Sequence, residues 1–291
     1  MQSTYPTLFG CLQGAGGAIV CLGAAYDRGS SPDHSGAALA PAALRRASAP
    51  EVLRARQGGI YDLGLRRQLF EGDLLSDLGD IKFKASQTDD SYLELLAQAV
   101  ALLVDEGRRP LILGGDHSVT LAVLRGFARA GARVQVVQLD AHHDYEEVSD
   151  GELPTHSTFI THVVGEGLAE KVIQIGVRGL SWGAPHPLPN VSLLDCDKLG
   201  DALLPNLGVY LTVDVDAFDP MIAPAVHFPE PGGLVPADLE KLLLTLRKAR
   251  LPVVGSDWCE YVPALDTANL ITARFVLSGL AKSIETMGAA L

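Results

Sequence analysis

Six short apolar runs recur along the chain, most of them separated by a stretch with helical spacing. They are GAIVCLG (17–23), PLILGG (110–115), RVQVVQLDA (133–141), KVIQIGV (171–177), VYLTVDVD (209–216) and PVVGSDW (252–258). Each suits a single strand. Several are continuously apolar, the pattern of a strand covered on both faces rather than one with a wet side. Apolar residues at three- and four-residue spacing predict helices over 91–105, 118–130, 236–249 and 267–284. Ser118 stands where it can cap the second of these, and Pro236 suits the first turn of the third. Strands alternating with helices in this way predict an α/β fold on a parallel sheet. Segments 24–42, 144–160 and 217–233 read as loops.

Nothing in the 291 residues reads as a linker, an internal repeat or a low-complexity tract, so one domain over 1–291 is expected. No apolar run approaches a spanning length of ~18 residues, and the first residues lack the basic leader of a signal peptide. The four cysteines, at 11, 21, 196 and 259, are too scattered for a zinc motif or a disulfide framework. A reducing cytoplasm is the expected compartment. A net charge of −12 argues against nucleic acid and weakly favours a cationic ligand.

The polar residues that end three of the strands carry the chemistry. LGGDHS (113–118) offers His117, LDAHHD (139–144) offers Asp140, His142 and Asp144, and VDVDAFDP (213–220) offers Asp214 and Asp216. In extended backbone, residues two apart share a face, so Asp140 aims with His142 and Asp214 with Asp216. Asp144 would lie ~13 Å from Asp140 on a continuing strand, so it joins them only if the chain curls back after His142. One such cluster reads equally well as a polar turn. Three at strand ends gather carboxylates that repel one another unless a cation neutralises them. Carboxylates and imidazoles without thiolate suit a hard ion such as Mn²⁺ better than structural zinc.

These three motifs, in this order and spacing, resemble the signatures of the ureohydrolase family, which includes arginase and agmatinase. LGAAYDRGSS (22–31), APAALRRAS (40–48), DLGD (77–80), IGVRG (175–179), EPGGL (230–234) and CEYVPALDTANLITA (259–273) look like its minor motifs, so the likeness covers most of the chain. The resemblance implies an arginase-like, three-layer α/β/α domain with a mostly parallel central sheet, assembled as a homo-oligomer, a trimer or hexamer. It also implies two Mn²⁺ per chain. One would be held by His117, Asp140, Asp144 and Asp214, the other by His142, Asp140, Asp214 and Asp216. The expected activity is hydrolysis of a small guanidino compound with release of urea. Such a carbon is a poor electrophile, and the metal pair would supply an activated water.

By the same resemblance Glu260 orients the guanidinium and His156 is a proton shuttle at the mouth, with Asp144 counted among the catalytic residues and His227 among those near substrate. Two departures stand out. His156-Ser157-Thr158 replaces the usual His-Gly-Thr or His-Gly-Ser, and His227 occupies an expected Gly-Thr stretch. His143 reads as packing or outer-sphere support, and Asp116 as a helix cap or orienting group.

From Ala141 to Glu170 there is no Lys or Arg, against Glu146, Glu147, Asp150, Glu152, Glu166 and Glu170. This favours a cationic tail, as in agmatine, over a dicarboxylate such as formiminoglutamate. A carboxylate tail would need another partner, for which Arg178 is the candidate. Two other readings stay open: hydrolysis of another linear amidine or amide (formiminoglutamate-like or deacetylase-like), and a non-catalytic, metal-dependent regulatory protein.

Overall fold

The computed structural model describes residues 6–49, 59–71, 73–84, 86–148, 153–181, 184, 186–267 and 269–289. Its strands are β1 (Leu12–Gln13), β2 (Ile19–Ala25), β3 (Gly59–Asp62), β4 (Arg67–Glu71), β5 (Leu75–Lys82), β6 (Arg109–Leu113), β7 (Val134–Leu139), β8 (Val172–Ile175), β9 (Val191–Leu193), β10 (Gly208–Asp214) and β11 (Val253–Cys259). Its helices are α1 (Ala40–Ala47), α2 (Asp89–Asp105), α3 (Val119–Arg129), α4 (Phe159–Gly165), α5 (Leu199–Ala202), α6 (Pro236–Ala249) and α7 (Ile271–Gly288).

Nine strands form one sheet in the order β1-β5-β2-β6-β11-β10-β7-β8-β9. Every pairing within it is parallel. Only β3 and β4 stand apart, as an antiparallel hairpin. The two faces are sorted by the strand period of two. On β7 and β10, Val137, Leu139, Leu211 and Val213 pack on one side, and Val134, Val136 and Tyr210 on the other. The first side is covered by α1, α6 and α7 through Leu44, Leu242 and Leu280. The second is covered by α2, α3 and α4 through Leu96, Val123 and Ile160. Each such side chain stabilises the fold by about 1.5–3 kcal/mol on burial.

All six expected strands and all four expected helices are present, with ends moved by a few residues. The structure departs from the loop expectations at 24–42, where Ala40 begins α1, and at 144–160, where Phe159 begins α4. It adds β5 beside β2 and the β3–β4 hairpin, neither of which is continuously apolar in sequence. Ser118 does not cap α3 with its side chain. Instead Asp116 Oδ1 accepts from the Ser118 N–H (3.1 Å) and hydroxyl, and Asp116 Oδ2 accepts from the Gly29 N–H (2.7 Å). The DLGD motif has an architectural use: Arg45 of α1 is buried in ion pairs with Asp77 and Asp80 of β5, tying helix to sheet.

Chain order creates the crevice. From β6 the chain passes to β7, which lies three places along the sheet, and β11 and β10 fill the interval later. Open parallel sheets bind ligands beyond the carboxyl ends of their strands at such a switch in direction. β6, β11, β10 and β7 are contiguous there, and each is followed at once by the polar residues singled out above.

Candidate metal centre and its cavity

Gly114 and Gly115 carry the chain out of β6 through a space that admits no side chain. A Cβ on Gly115 would collide with the Tyr26 carbonyl, and one on Gly114 with the Cys259 side chain and the Trp258 carbonyl. This passage sets His117, fully buried, over the ends of β7 and β10. Its Nδ1 lies 3.0 Å from Asp140 Oδ2, 3.2 Å from Asp144 Oδ2 and 3.3 Å from Asp214 Oδ2. The ring's far nitrogen, Nε2, meets Thr212 Oγ1 at 2.7 Å, and the Thr212 hydroxyl donates to Asp257 Oδ1 at 2.6 Å. Asp257 also accepts from Thr120 (2.9 Å) and Tyr210 (2.6 Å). The Thr212–Asp257 chain therefore fixes ring orientation, as outer-sphere partners of ligating histidines do.

A second group adjoins the first. His142 Nδ1 is 2.9 Å from Asp216 Oδ2 and 3.7 Å from Asp140 Oδ1. Asp140 is thus the one carboxylate ion-paired with both imidazoles among the described residues. The chain does curl back after His142: Asp144 has φ 52°, in the left-handed region, and its carbonyl accepts from the Ile160 N–H at 3.0 Å. Gln174 donates to Gln138 Oε1 (2.8 Å), and Gln138 donates to Asp140 (2.7 Å) and Asp144 (3.3 Å). Motif reading missed these two buried glutamines, together with Thr212 and Asp257. Polar residues inside otherwise apolar strands were the available signal.

The donor set fits divalent metal. His117 Nδ1 is fully buried with no hydrogen-bond partner although three carboxylate oxygens surround it. An orphaned imidazole nitrogen facing several carboxylates is a ligand arrangement more than a hydrogen-bonded one. His117, Asp140 and Asp144 can hold an ion together, and so can Asp140, His142 and Asp216. His117 also falls beside Asp257 and Cys259, but Thr212, Thr120 and Tyr210 already satisfy Asp257 on that side.

Crowding shifts the protonation of the group. Burial, then the charge of Asp140, holds Asp144 well above the usual carboxylate range. Burial and Asp216 do the same to Asp214, and burial with Asp140 raises Asp216. Burial opposes charge on His142, yet Asp216 and its neighbours push it up to about 10, and the three carboxylates raise His117. Asp140 is lowered: burial opposes its charge, but His117 outweighs it. Apart from Asp140, these groups hold protons more tightly folded than unfolded. The stability they lend the metal-free chain is full below the unfolded carboxylate value of about 4 and is lost as pH rises through the folded values. Divalent metal takes the place of those protons, so its stabilising effect is expected to grow with pH. Calorimetry with and without chelator from pH 5 to 9 checks this; a metal-free Tm that climbs across the range contradicts it.

Above the carboxylates opens a cavity of about 350 Å³. Glu260, φ 64°, follows β11 at its wall, its N–H donating to the Gly115 carbonyl (2.9 Å) and its Oε1 accepting from the His117 N–H (2.9 Å). His156 Nδ1 stands 3.6 Å from that oxygen. Burial, then the charges of His117 and His142, push His156 down to about 4, so it is neutral at pH 7. His227 lines the cavity, but its Nε2 is engaged by the Ser35 carbonyl at 3.0 Å. His143 packs on Tyr145 with ring centroids 4.3 Å apart.

Two charge expectations change. Of the six loop acids, Glu146 faces the cavity; Glu166 and Glu170 pair with Arg125 and Arg133, Glu147 is exposed, and Asp150 and Glu152 lie outside the described residues. Arg178 lines the cavity, yet its guanidinium donates to the carbonyls of Gly176, Asp216, Ala217 and Glu230. It braces the loop that carries Asp216.

A parallel sheet whose central strand ends converge carboxylates and imidazoles beneath a cavity sets a candidate divalent-metal site in the crevice of an α/β fold. The chain belongs to the arginase family: the model described as "Arginase family" matches residues 17–284. It is 31% identical over 260 residues to a mitochondrial arginase of Medicago truncatula, covering 82% of this chain and 73% of that one. It is 32% identical over 282 residues to an agmatinase of Photorhabdus laumondii, covering 92% and 85%. The solved proclavaminate amidino hydrolase of Streptomyces clavuligerus superimposes with a TM-score of 0.79 at 27% identity, covering 99% of each chain. The family is one of hydrolases of C–N bonds, as the sequence resemblance implied. Among the described residues no helix is long and apolar enough to cross a membrane.

Proposed function

We propose that this protein is a binuclear-manganese hydrolase that attacks the guanidino carbon of a small substrate and releases urea, with agmatine the favoured compound. The observation that carries this is Asp140, set between His117 and His142 so that two ligand groups share one carboxylate. One ion would take His117, Asp140, Asp144 and Asp214, the other His142, Asp140, Asp214 and Asp216. When bound, the pair supplies a water activated at neutral pH.

The chain's own residues do the rest. Glu260 Oε1 is committed to the His117 N–H, which leaves Oε2 to accept from a guanidinium and turn its carbon toward the carboxylate cluster. In the balanced reaction the guanidino C–N bond to the tail breaks, a C–O bond forms, and both water protons end on the departing nitrogen as an ammonium. His156, beside Glu260, can take up one of those protons and pass it to that nitrogen.

Similarity does not choose among substrates, since arginase and agmatinase relatives are equally close. The wall chemistry supports agmatine. Arg178 is the one arginine or lysine among the described lining residues, and backbone carbonyls already occupy it. A carboxylate tail would lie unpaired beside Glu146, Val177 and Phe228. Urea release by the Mn²⁺-loaded protein from agmatine, arginine, guanidinobutyrate and guanidinopropionate tests this. The expected kcat/KM for agmatine exceeds that for guanidinobutyrate by about tenfold or more, and chelation abolishes both. No urea from any member, with formimino or amide substrates cleaved instead, would replace the guanidino reading.

A further inference from the structure

Phe228 follows His227, and it is a large apolar side chain left 39% exposed on the cavity wall. Its ring lies near two histidines of the site. The centroid is 6.3 Å from His142, edge-on at 86°, and 5.7 Å from His156, near-stacked at 29°. His156 in turn is 3.6 Å from Glu260, and Phe228 and Glu260 line the same cavity.

The ring is also held in place before any substrate arrives. His34 packs on its outer side at 4.6 Å, and the His34 Nδ1 is fixed by Ser31 Oγ at 2.8 Å. His227 is anchored to the Ser35 carbonyl at 3.0 Å. The preceding loop is pinned where the Ala225 N–H donates to Thr272 Oγ1 (3.1 Å) and the Ala225 carbonyl accepts from the Val262 N–H (2.9 Å). An exposed aromatic face braced from behind serves recognition better than a loop tip free to collapse.

We infer that Phe228 is the specificity-determining residue of this site, an aromatic wall that favours guanidino substrates with a cationic or uncharged tail and disfavours those with a carboxylate. This rests on the guanidino reading above and names the residue that makes the selection. The guanidinium is common to these substrates, so selection falls on the tail, and an ammonium tail is attracted to the face of an aromatic ring. The ring's negative face repels a carboxylate. The competing account is that Phe228 only packs on His34 to hold the loop.

The test compares wild-type, Phe228→Ala, Phe228→Leu and Phe228→Trp proteins, each Mn²⁺-loaded, with agmatine and guanidinobutyrate, and records Tm for each. Alanine and leucine are expected to raise the agmatine KM about three- to thirtyfold while kcat changes little, and to narrow the agmatine preference by the same factor. Tryptophan is expected to keep both. The leucine variant retains apolar bulk, so it carries the test if alanine fails to fold. Wild-type urea release with the same preference in the leucine variant, whatever its Tm, overturns the role of Phe228 alone. No urea from the wild type with any guanidino compound overturns the guanidino reading and this inference with it.

Discussion

Asp140→Ala is expected to lower kcat by at least about 10⁴-fold and to leave the purified protein with less than one bound metal per chain. Asp144 and Asp214 reach His117, and Asp216 reaches His142, whereas Asp140 reaches both. Removing it therefore takes a ligand from each group at once; of the other proposed ligands only Asp214, also assigned to both ions, would do the same. The fold should tolerate the loss. Asp140 accepts from Gln138 Nε2 and the His142 N–H, each at 2.7 Å, and stranding those donors costs about 1–3 kcal/mol apiece. Against that, one buried negative charge no longer repels Asp144, Asp214 and Asp216. A folded, metal-poor, inactive variant is the expected product, read by metal analysis, Tm and urea assay together. Two retained metals with near-normal turnover would falsify the assignment of Asp140 as the shared ligand.

The clustering of these carboxylates and imidazoles was legible because its ingredients are local. Asp140 and His142 are two residues apart, as are Asp214 and Asp216, and continuous apolar strands carry each pair to the same edge of the sheet. Even the turn that recruits Asp144 could be stated as a requirement from strand geometry. What sequence does not disclose is how a side chain's bonding capacity is spent. Arg178 reads as a free cation near the cavity until its donors are found on six backbone carbonyls. Glu166 and Glu170 read as part of an acidic loop until Arg125 and Arg133, far off in sequence, are seen to neutralise them. β5 escaped notice because its buried first half includes Asp77 and the rest, from Leu78 on, lies at an intermediate or exposed depth and includes Asp80; Arg45, the partner of both, sits on a helix. Phe228 was hidden for a related reason: its role depends on His34 and His156 arriving from separate segments.

Glu260→Gln is expected to lower kcat/KM for the preferred substrate by about 10²–10³-fold, chiefly through KM, with both metals retained. The side chain has a structural duty and a proposed recognition duty, and glutamine separates them. Its amide oxygen can still accept the His117 N–H, the bond that with the Glu260 N–H to the Gly115 carbonyl holds the backbone at φ 64°. The metal ligands should therefore keep their places. The charge disappears, and with it the charge-assisted pairing that a guanidinium requires in a partly buried cavity. Burial, Asp214 and Asp116 raise the Glu260 carboxyl well above its ordinary range, so neutralising it should leave metal-free stability unchanged or higher at pH 8. Glu260→Asp offers the complementary case. It keeps the charge but retracts the carboxylate by a methylene, releasing the His117 N–H, and should weaken metal retention and turnover together. A glutamine variant with wild-type KM would place guanidinium recognition on some other group, and Glu260 would then be a strut for His117 alone.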